Sequence, residues 1–202
     1  MSKGSVFIIS GPSGSGKDTL LKEIFKKYPE IKFSISSITR AMREGEVEGE
    51  KYNFISREAF ESMIEKDELL EYNTYVGNYY GTPKAPVIKE TEKGNNMIIE
   101  VDVNGAAQIR KKLPEAVSIF IMPPSFAELE RRLSGRGTEE REVIVARMNS
   151  ALDEIKRACE YDYIVVNDNI ETAVDDIITI IKSQGLKLEK QIKIIDEVLE
   201  KC

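Results

Sequence analysis

The 202-residue chain carries 29 Lys and Arg against 35 Asp and Glu, a net charge of −6, and has no histidine or tryptophan. That length suits one compact domain or a core with small insertions, and 41% hydrophobic with 32% charged residues describes an ordinary globular chain, not a disordered one. The missing histidines exclude Ser-His-Asp and Cys-His nucleophile systems and any His-ligated zinc, and the acidic balance argues against a uniformly basic nucleic-acid-binding surface.

The remaining chemistry must use carboxylates, Lys, Arg, Tyr, hydroxyls, backbone amides or a metal held by oxygen. Cys159 and Cys202 are too few for a disulfide framework and lack metal-binding spacing, as expected of reduced thiols in a cytoplasmic protein. The apolar run at residues 5–9 is too short for a signal peptide or a membrane span, so no membrane partner is expected.

In chain order, the first predicted element is a strand over residues 6–9, running straight into the turn Gly11-Pro12-Ser13-Gly14-Ser15-Gly16-Lys17-Asp18-Thr19. A helix follows, with Leu20, Leu21, Ile24 and Phe25 on one stripe. A glycine-rich turn between strand and helix lets backbone N–H groups converge on phosphate oxygens, beside the positive end of the helix dipole. Lys17 would reach the β- and γ-phosphates as a mobile point charge. Asp18 stands where this motif usually has Ser or Thr to ligate Mg²⁺. Its carboxylate would hold Mg²⁺ or one of its waters, or else simply cap the helix, with Thr19 as an alternative hydroxyl.

Residues 34–82 break the rhythm. They read as a small mixed insertion with short alternating stretches near 52–55 and 71–75 and one helix near 57–66. Arg40 and Arg43, three apart, can face one anion as hydrogen-bonding forks, and Tyr52 adds a phenolic donor. An Arg pair with tyrosines and the carboxylate of Glu71 suits a nucleoside monophosphate. Glu71 would accept from guanine, which presents N1–H and a 2-amino group as adenine does not. An ordinary polar hairpin is the alternative.

Three more buried strands are predicted at 97–101, 117–121 and 163–166, each before a helix, at 105–112, 125–133 and 170–182. Strand–helix alternation of this kind makes a parallel sheet covered on both faces. Ser125 and Thr172 sit where N-caps are expected, and Gly185 can end the preceding helix. Glu100 and Asp102 close the 97–101 strand, where an open α/β sheet places its ligands; the alternative is that one of them caps the next helix. Residues 134–158 read as a polar, mobile excursion with a long charged helix. Arg141 within it and Arg131 just before it read as a solvated face, and Tyr161 and Tyr163 as packing. The tail at 186–200, with Leu188, Ile192, Ile195 and Leu199 at helical spacing, predicts an amphipathic helix packed on the body.

Four stretches carry a resemblance. The phosphate turn, the Thr-Arg-x-x-Arg-x-Gly-Glu-x-x-Gly-x-x-Tyr-x-Phe segment ending at Phe54, Gly-Asn-Tyr-Tyr-Gly at 77–81 and Gly-Arg-Gly-Thr at 135–138 together resemble the guanylate kinases, in that family's order. The resemblance implies a P-loop NTPase core with a parallel sheet flanked by helices (1–33, 83–124 and 159–202), a GMP-binding insertion (34–82) and a helical lid (125–158). It implies transfer of the γ-phosphoryl of ATP to GMP, and to dGMP, with Mg²⁺. On the family's pattern Arg40, Arg43, Tyr52 and Tyr80 would hold the GMP phosphate, and Ser36, Glu71, Thr82 and Asp102 would contact the guanine side. Glu100 would lie near the metal waters. Arg132, Arg136 and Arg147 would clamp the ATP phosphates as catalytic groups with Lys17, and Asn167 would contact adenine.

The turn's wording also resembles ribose bisphosphate phosphokinases, which lack the 40–52 stretch in this form. Non-enzymatic guanylate-kinase-like scaffold modules tend to have lost the turn lysine or the lid arginines that this chain keeps. The expected partners are ATP and GMP, and the expected state is monomer or homodimer.

Overall fold

Val6–Ser10 is buried along its whole length and forms β1, the central strand of a five-stranded sheet. The computed structural model describes residues 3–134 and 141–200. After β1 come α1 (Lys17–Lys27), β2 (Lys32–Phe33), β3 (Ser36–Ile38), β4 (Tyr52–Phe54), α2 (Arg57–Glu65), β5 (Leu69–Tyr75), β6 (Asn78–Pro83) and α3 (Lys84–Glu92). The chain continues through β7 (Met97–Glu100), α4 (Val103–Lys112), β8 (Val117–Met122), α5 (Phe126–Ser134), α6 (Arg141–Lys156), a 3-10 turn at Arg157–Glu160, β9 (Tyr163–Val166), α7 (Ile170–Gln184) and α8 (Leu188–Leu199).

The large sheet has the order β2-β7-β1-β8-β9 with every pairing parallel. Alternation along β1 divides its side chains between two cores. Phe7 and Ile9 join Leu20, Ile24, Val174 and Ile177 under α1 and α7, while Val6 and Ile8 join Val87, Ala106 and Ile109 under α3 and α4. Each fully buried Ile or Phe contributes about 1.5–3 kcal/mol, so these two layers supply most of the drive that fixes the sheet. The crossovers bring the carboxyl ends of β1, β7, β8 and β9 to one edge, the crevice where parallel sheets bind ligands.

A second, mixed sheet has the order β4-β3-β6-β5: β3 pairs parallel with β4 and antiparallel with β6, which pairs antiparallel with β5. A register shift between Leu69 and Glu71 interrupts the β5–β6 ladder. Helices α5 and α6 pack on each other through Leu129, Leu133, Met148 and Ala151.

The predicted strands and helices are found, with bounds displaced by a few residues, but β9 is not the buried strand expected: it lies at the sheet edge, where Tyr163, Ile164 and Val166 are exposed and Val165 is buried. Ser125 caps α5, its hydroxyl accepting from the N–H of Glu128 at 3.1 Å. Thr172 does not cap α7. The helix begins earlier, and Asn169 accepts from the N–H of Thr172 at 3.0 Å, an Asn side chain being the better acceptor at that position. Gly185 ends α7 in right-handed backbone, with φ −68°.

The expectation that α8 packs on the body is overturned. Its Leu188, Ile192, Ile195 and Leu199 are all exposed, and none of them joins either of the two core layers. Polar contacts fasten its first half instead: Lys190 donates to the carbonyl of Lys3 and to Ser5 Oγ, and Gln191 to the carbonyl of Gly185. No helix of the described residues is long and apolar enough to cross a membrane.

Candidate active site

The phosphate turn links the end of β1 to α1. Gly16 stands at the N-cap with φ +89°, and a Cβ there would lie 2.3 Å from Nδ2 of Asn167, so only glycine fits. No side chain caps α1, which leaves its first N–H groups available to an anion. Lys17 turns back over the loop, its ammonium donating to the carbonyls of Gly11 and Pro12. Burial lowers the Lys17 pKa, against the raising charges of Glu100, Glu154 and Asp18.

Above the turn lies a cavity of about 700 Å³ lined by Ser13, Gly14, Gly16, Lys17, Asp18 and Thr19, with Arg132, Arg147 and Asn167 on the far side. Gly11, Pro12 and Ser15 are buried beneath them. Arg132 donates from Nε to Glu128 at 2.7 Å, from Nη1 to the carbonyl of Ser15 at 3.3 Å and from Nη2 to that of Asn167 at 3.0 Å. Arg147 reaches Ser13 Oγ at 2.9 Å. Asn167 is buried, its Nδ2 donating to the carbonyl of Ser15 at 2.7 Å while its Oδ1 accepts from no described residue. Arg131 is exposed and pairs with Glu128, and Arg141 is exposed.

A second cavity, about 390 Å³, lies against the small sheet and is lined by Ser36, Arg40, Arg43, Tyr52, Glu71, Asn73, Tyr80 and Asp102, among others. Arg40 is held as a fork by Glu46, at 2.6 and 2.5 Å, with its guanidinium carbon 5.5 Å from the Tyr52 ring centre. The Arg40 bonds hold the Glu46 carboxyl down to about 2. The main-chain N–H of Arg43 also donates to Glu46, at 2.8 Å.

Glu71 is buried and accepts from the Thr82 hydroxyl at 2.7 Å. Burial pushes its pKa up to about 7, with the Thr82 bond pulling the other way and the Asp102 charge adding to the rise. Thr82 itself is fully buried and lines no part of this cavity. Asp102 does cap α4, its Oδ1 accepting from the N–H groups of Asn104 and Gly105 at 2.8 Å each; its Oδ2 accepts from Asn73 at 3.3 Å.

Between these cavities lies a third, about 330 Å³, lined by Ser13 and Lys17 from the first, by Ser36, Tyr52 and Asp102 from the second, and by Lys51 and Glu154. Glu100 lines all three. The phosphate turn and the Arg–Tyr–Glu pocket therefore open onto one continuous cleft. A family model described as guanylate kinase matches residues 3–184.

The chain belongs to the guanylate kinase family. The guanylate kinase of Carboxydothermus hydrogenoformans is 48% identical over 187 residues, covering 93% of this chain and 92% of that one. The guanylate kinase of Halalkalibacterium halodurans is 48% identical over 198 residues, covering 98% and 97%. A crystal structure of guanylate kinase from Anaplasma phagocytophilum matches with a TM-score of 0.74 at 33% identity, over 92% of this chain and 88% of that one.

Of the residues that the guanylate kinase resemblance nominates, all but two stand along the cleft wall or in the turn beneath it. Thr82 lies behind Glu71, and Arg136 lies outside the described residues. Asp18 does not act as a helix cap: it bonds Lys51 at 2.6 Å, and Glu100 lies 3.4 Å from the same ammonium. The facing oxygens of both carboxylates are thus engaged by a cation, a donor set that does not fit direct Mg²⁺ ligation as it stands. Among the described residues no group of three acidic or thiol side chains is arranged to hold a metal. Lys51, Glu154, Asn73 and Glu46 went unnoticed in the sequence. Their signal is only proximity across the fold, which no local spacing encodes.

Proposed function

We propose that this guanylate kinase family member transfers the γ-phosphoryl of ATP to GMP, giving ADP and GDP. The observation that carries the reading is the single cleft with the phosphate turn at one end, the buried Glu71 at the other and Glu100 along its whole length. Phosphoryl transfer needs little covalent help from a protein, because charge spreads over the transferred oxygens and the acceptor is already an anionic phosphate oxygen. Positioning and charge stabilisation do most of the work.

In this scheme the turn amides and Lys17 hold the ATP phosphates, and Arg132, Arg136 and Arg147 surround the moving group from the lid side. Arg40, Arg43, Tyr52 and Tyr80 hold the acceptor phosphate in line. Glu71, oriented by Thr82, takes the guanine N–H donors together with Ser36 and Asp102. Asn167 meets the adenine. Residues 34–82 and 125–158 act as units that close on the core and exclude water. Mg²⁺ is inferred to arrive on ATP, where it offsets phosphate charge; no step is assigned to it through Asp18 or Glu100. The enzyme works in the cytoplasm as a monomer or homodimer, free of membrane and nucleic acid.

The test is an ADP-release assay with ATP and Mg²⁺, offering GMP, dGMP, AMP, UMP and ribose bisphosphate separately. Activity with GMP and dGMP is expected. Activity confined to AMP or ribose bisphosphate would overturn the guanine assignment.

A further inference from the structure

Lys51 precedes β4 by one residue and lines the junction cavity, but neither of the two larger ones. Its ammonium bonds Oδ1 of Asp18, in the first turn of α1, at 2.6 Å and lies 3.4 Å from Oε2 of Glu100, at the end of β7. Residues from the small sheet, the phosphate turn and the large sheet thus meet on one nitrogen. An ammonium has three N–H donors. Two face these carboxylates, and the side chain keeps about half its exposure, so the third is left for the cavity.

The local charge balance calls for such a cation. Asp18, Glu100 and Glu154 all act on Lys17, so three carboxylates surround one ammonium where two polyanionic nucleotides would meet. A lone Lys17 would leave that junction net negative, and like charge repels phosphate. Lys51 supplies a second positive charge, which lessens that carboxylate excess. Its long side chain is already immobilised by Asp18 and Glu100, so little rotamer freedom remains to be lost on contact with substrate.

We propose that Lys51 is a further phosphate-contacting residue, donating its third N–H to the phosphoryl group as it passes between the nucleotides. Asp18 then serves as the group that positions Lys51, which explains a carboxylate where a hydroxyl is usual. The proposal rests on the phosphoryl-transfer reading above.

The test compares Lys51→Gln, Lys51→Arg and Asp18→Asn by steady-state kinetics, melting, and calorimetry in EDTA with ADP, GMP and an adenosine–guanosine pentaphosphate joining the two nucleosides. In Lys51→Gln, kcat should fall by about tenfold or more while both KM values stay within about threefold, the pattern of a contact made in the transition state. Pentaphosphate affinity should fall by about tenfold with ADP and GMP little changed, Lys51→Arg should recover part of both losses, and Asp18→Asn should lose less than Lys51→Gln.

Unchanged kcat and pentaphosphate affinity in Lys51→Gln would overturn the proposal. So would an Asp18→Asn loss exceeding that of Lys51→Gln, or a loss that Lys51→Arg does not recover and that tracks a lower melting temperature. A parent enzyme that neither phosphorylates GMP nor binds the pentaphosphate would instead refute the functional reading itself.

Discussion

Thr82 and Glu71 are register partners across β5 and β6, and the Thr82 hydroxyl donates to Oε1 of Glu71 at 2.7 Å with both side chains buried. The hydroxyl, fully removed from the cavity, fixes the direction of the carboxylate that faces it. Thr82→Val keeps the shape and deletes the donor. A buried acceptor left unsatisfied costs about 1–3 kcal/mol, so the melting temperature should fall, and KM for GMP should rise by about tenfold as Glu71 loses its orientation. Thr82→Ser should restore both. Melting curves and GMP titrations check it, and an unaltered KM in Thr82→Val would remove the orienting role.

Glu71 should also make the enzyme pH-dependent. Its carboxyl is raised from 4.5 to about 7 by burial, so between those values the folded state holds a proton that the unfolded state has released. Stability from this group is therefore greatest below about pH 4.5 and declines as pH rises through 7, by up to about 3 kcal/mol. Glu71→Gln should remove that slope and gain stability relative to the parent as pH rises. GMP recognition runs the opposite way, since the ionised carboxylate is the acceptor for the base: KM for GMP should fall as pH rises through about 7. A flat KM profile from about pH 5.5 to 8.5 would contradict this assignment.

The neighbouring arginines of α5 should differ sharply. The side chain of Arg131 is 73% exposed and pairs with Glu128 at the rim of the donor cavity. Arg131→Ala should change stability by less than about 0.5 kcal/mol and leave turnover near normal. Arg132 lines the same cavity and also bonds the carbonyls of Ser15 and Asn167, which hold its guanidinium over the phosphate turn. Arg132→Ala should lower kcat by about 100-fold, the scale of a lost charge-stabilising donor. Turnover numbers measured side by side separate the two.

Lys17 faces both the donor and the junction cavities. Lys17→Ala should reduce kcat by about 100-fold or more while the melting temperature holds, since removing a half-buried ammonium also removes its desolvation cost. Near-normal turnover in this variant would sink the scheme of phosphate stabilisation.

The sequence by itself determined the features written in local periods. The alternation that puts Phe7 and Ile9 on one face and Val6 and Ile8 on the other, the left-handed backbone that favours glycine at position 16, and the cap at Ser125 depend on near neighbours alone. Where two caps compete within three residues, as Asn169 and Thr172 do, local pattern misjudged the start of the helix. The amphipathic stripe of α8 marked a helix but carried no information on whether a free face awaited it.

Only the tertiary structure decided which charges meet. Asp18 and Lys51 are 33 residues apart, and Arg132 and the Ser15 carbonyl 117. Sequence spacing nominated Asp18 for a metal, whereas crossover connections bring it to an ammonium. Glu100 gained its position along the whole cleft from strand order, and Thr82 its place behind Glu71 from sheet register. Pairings of this kind are set by how strands cross and stack, and a linear pattern of residues contains no distance between them.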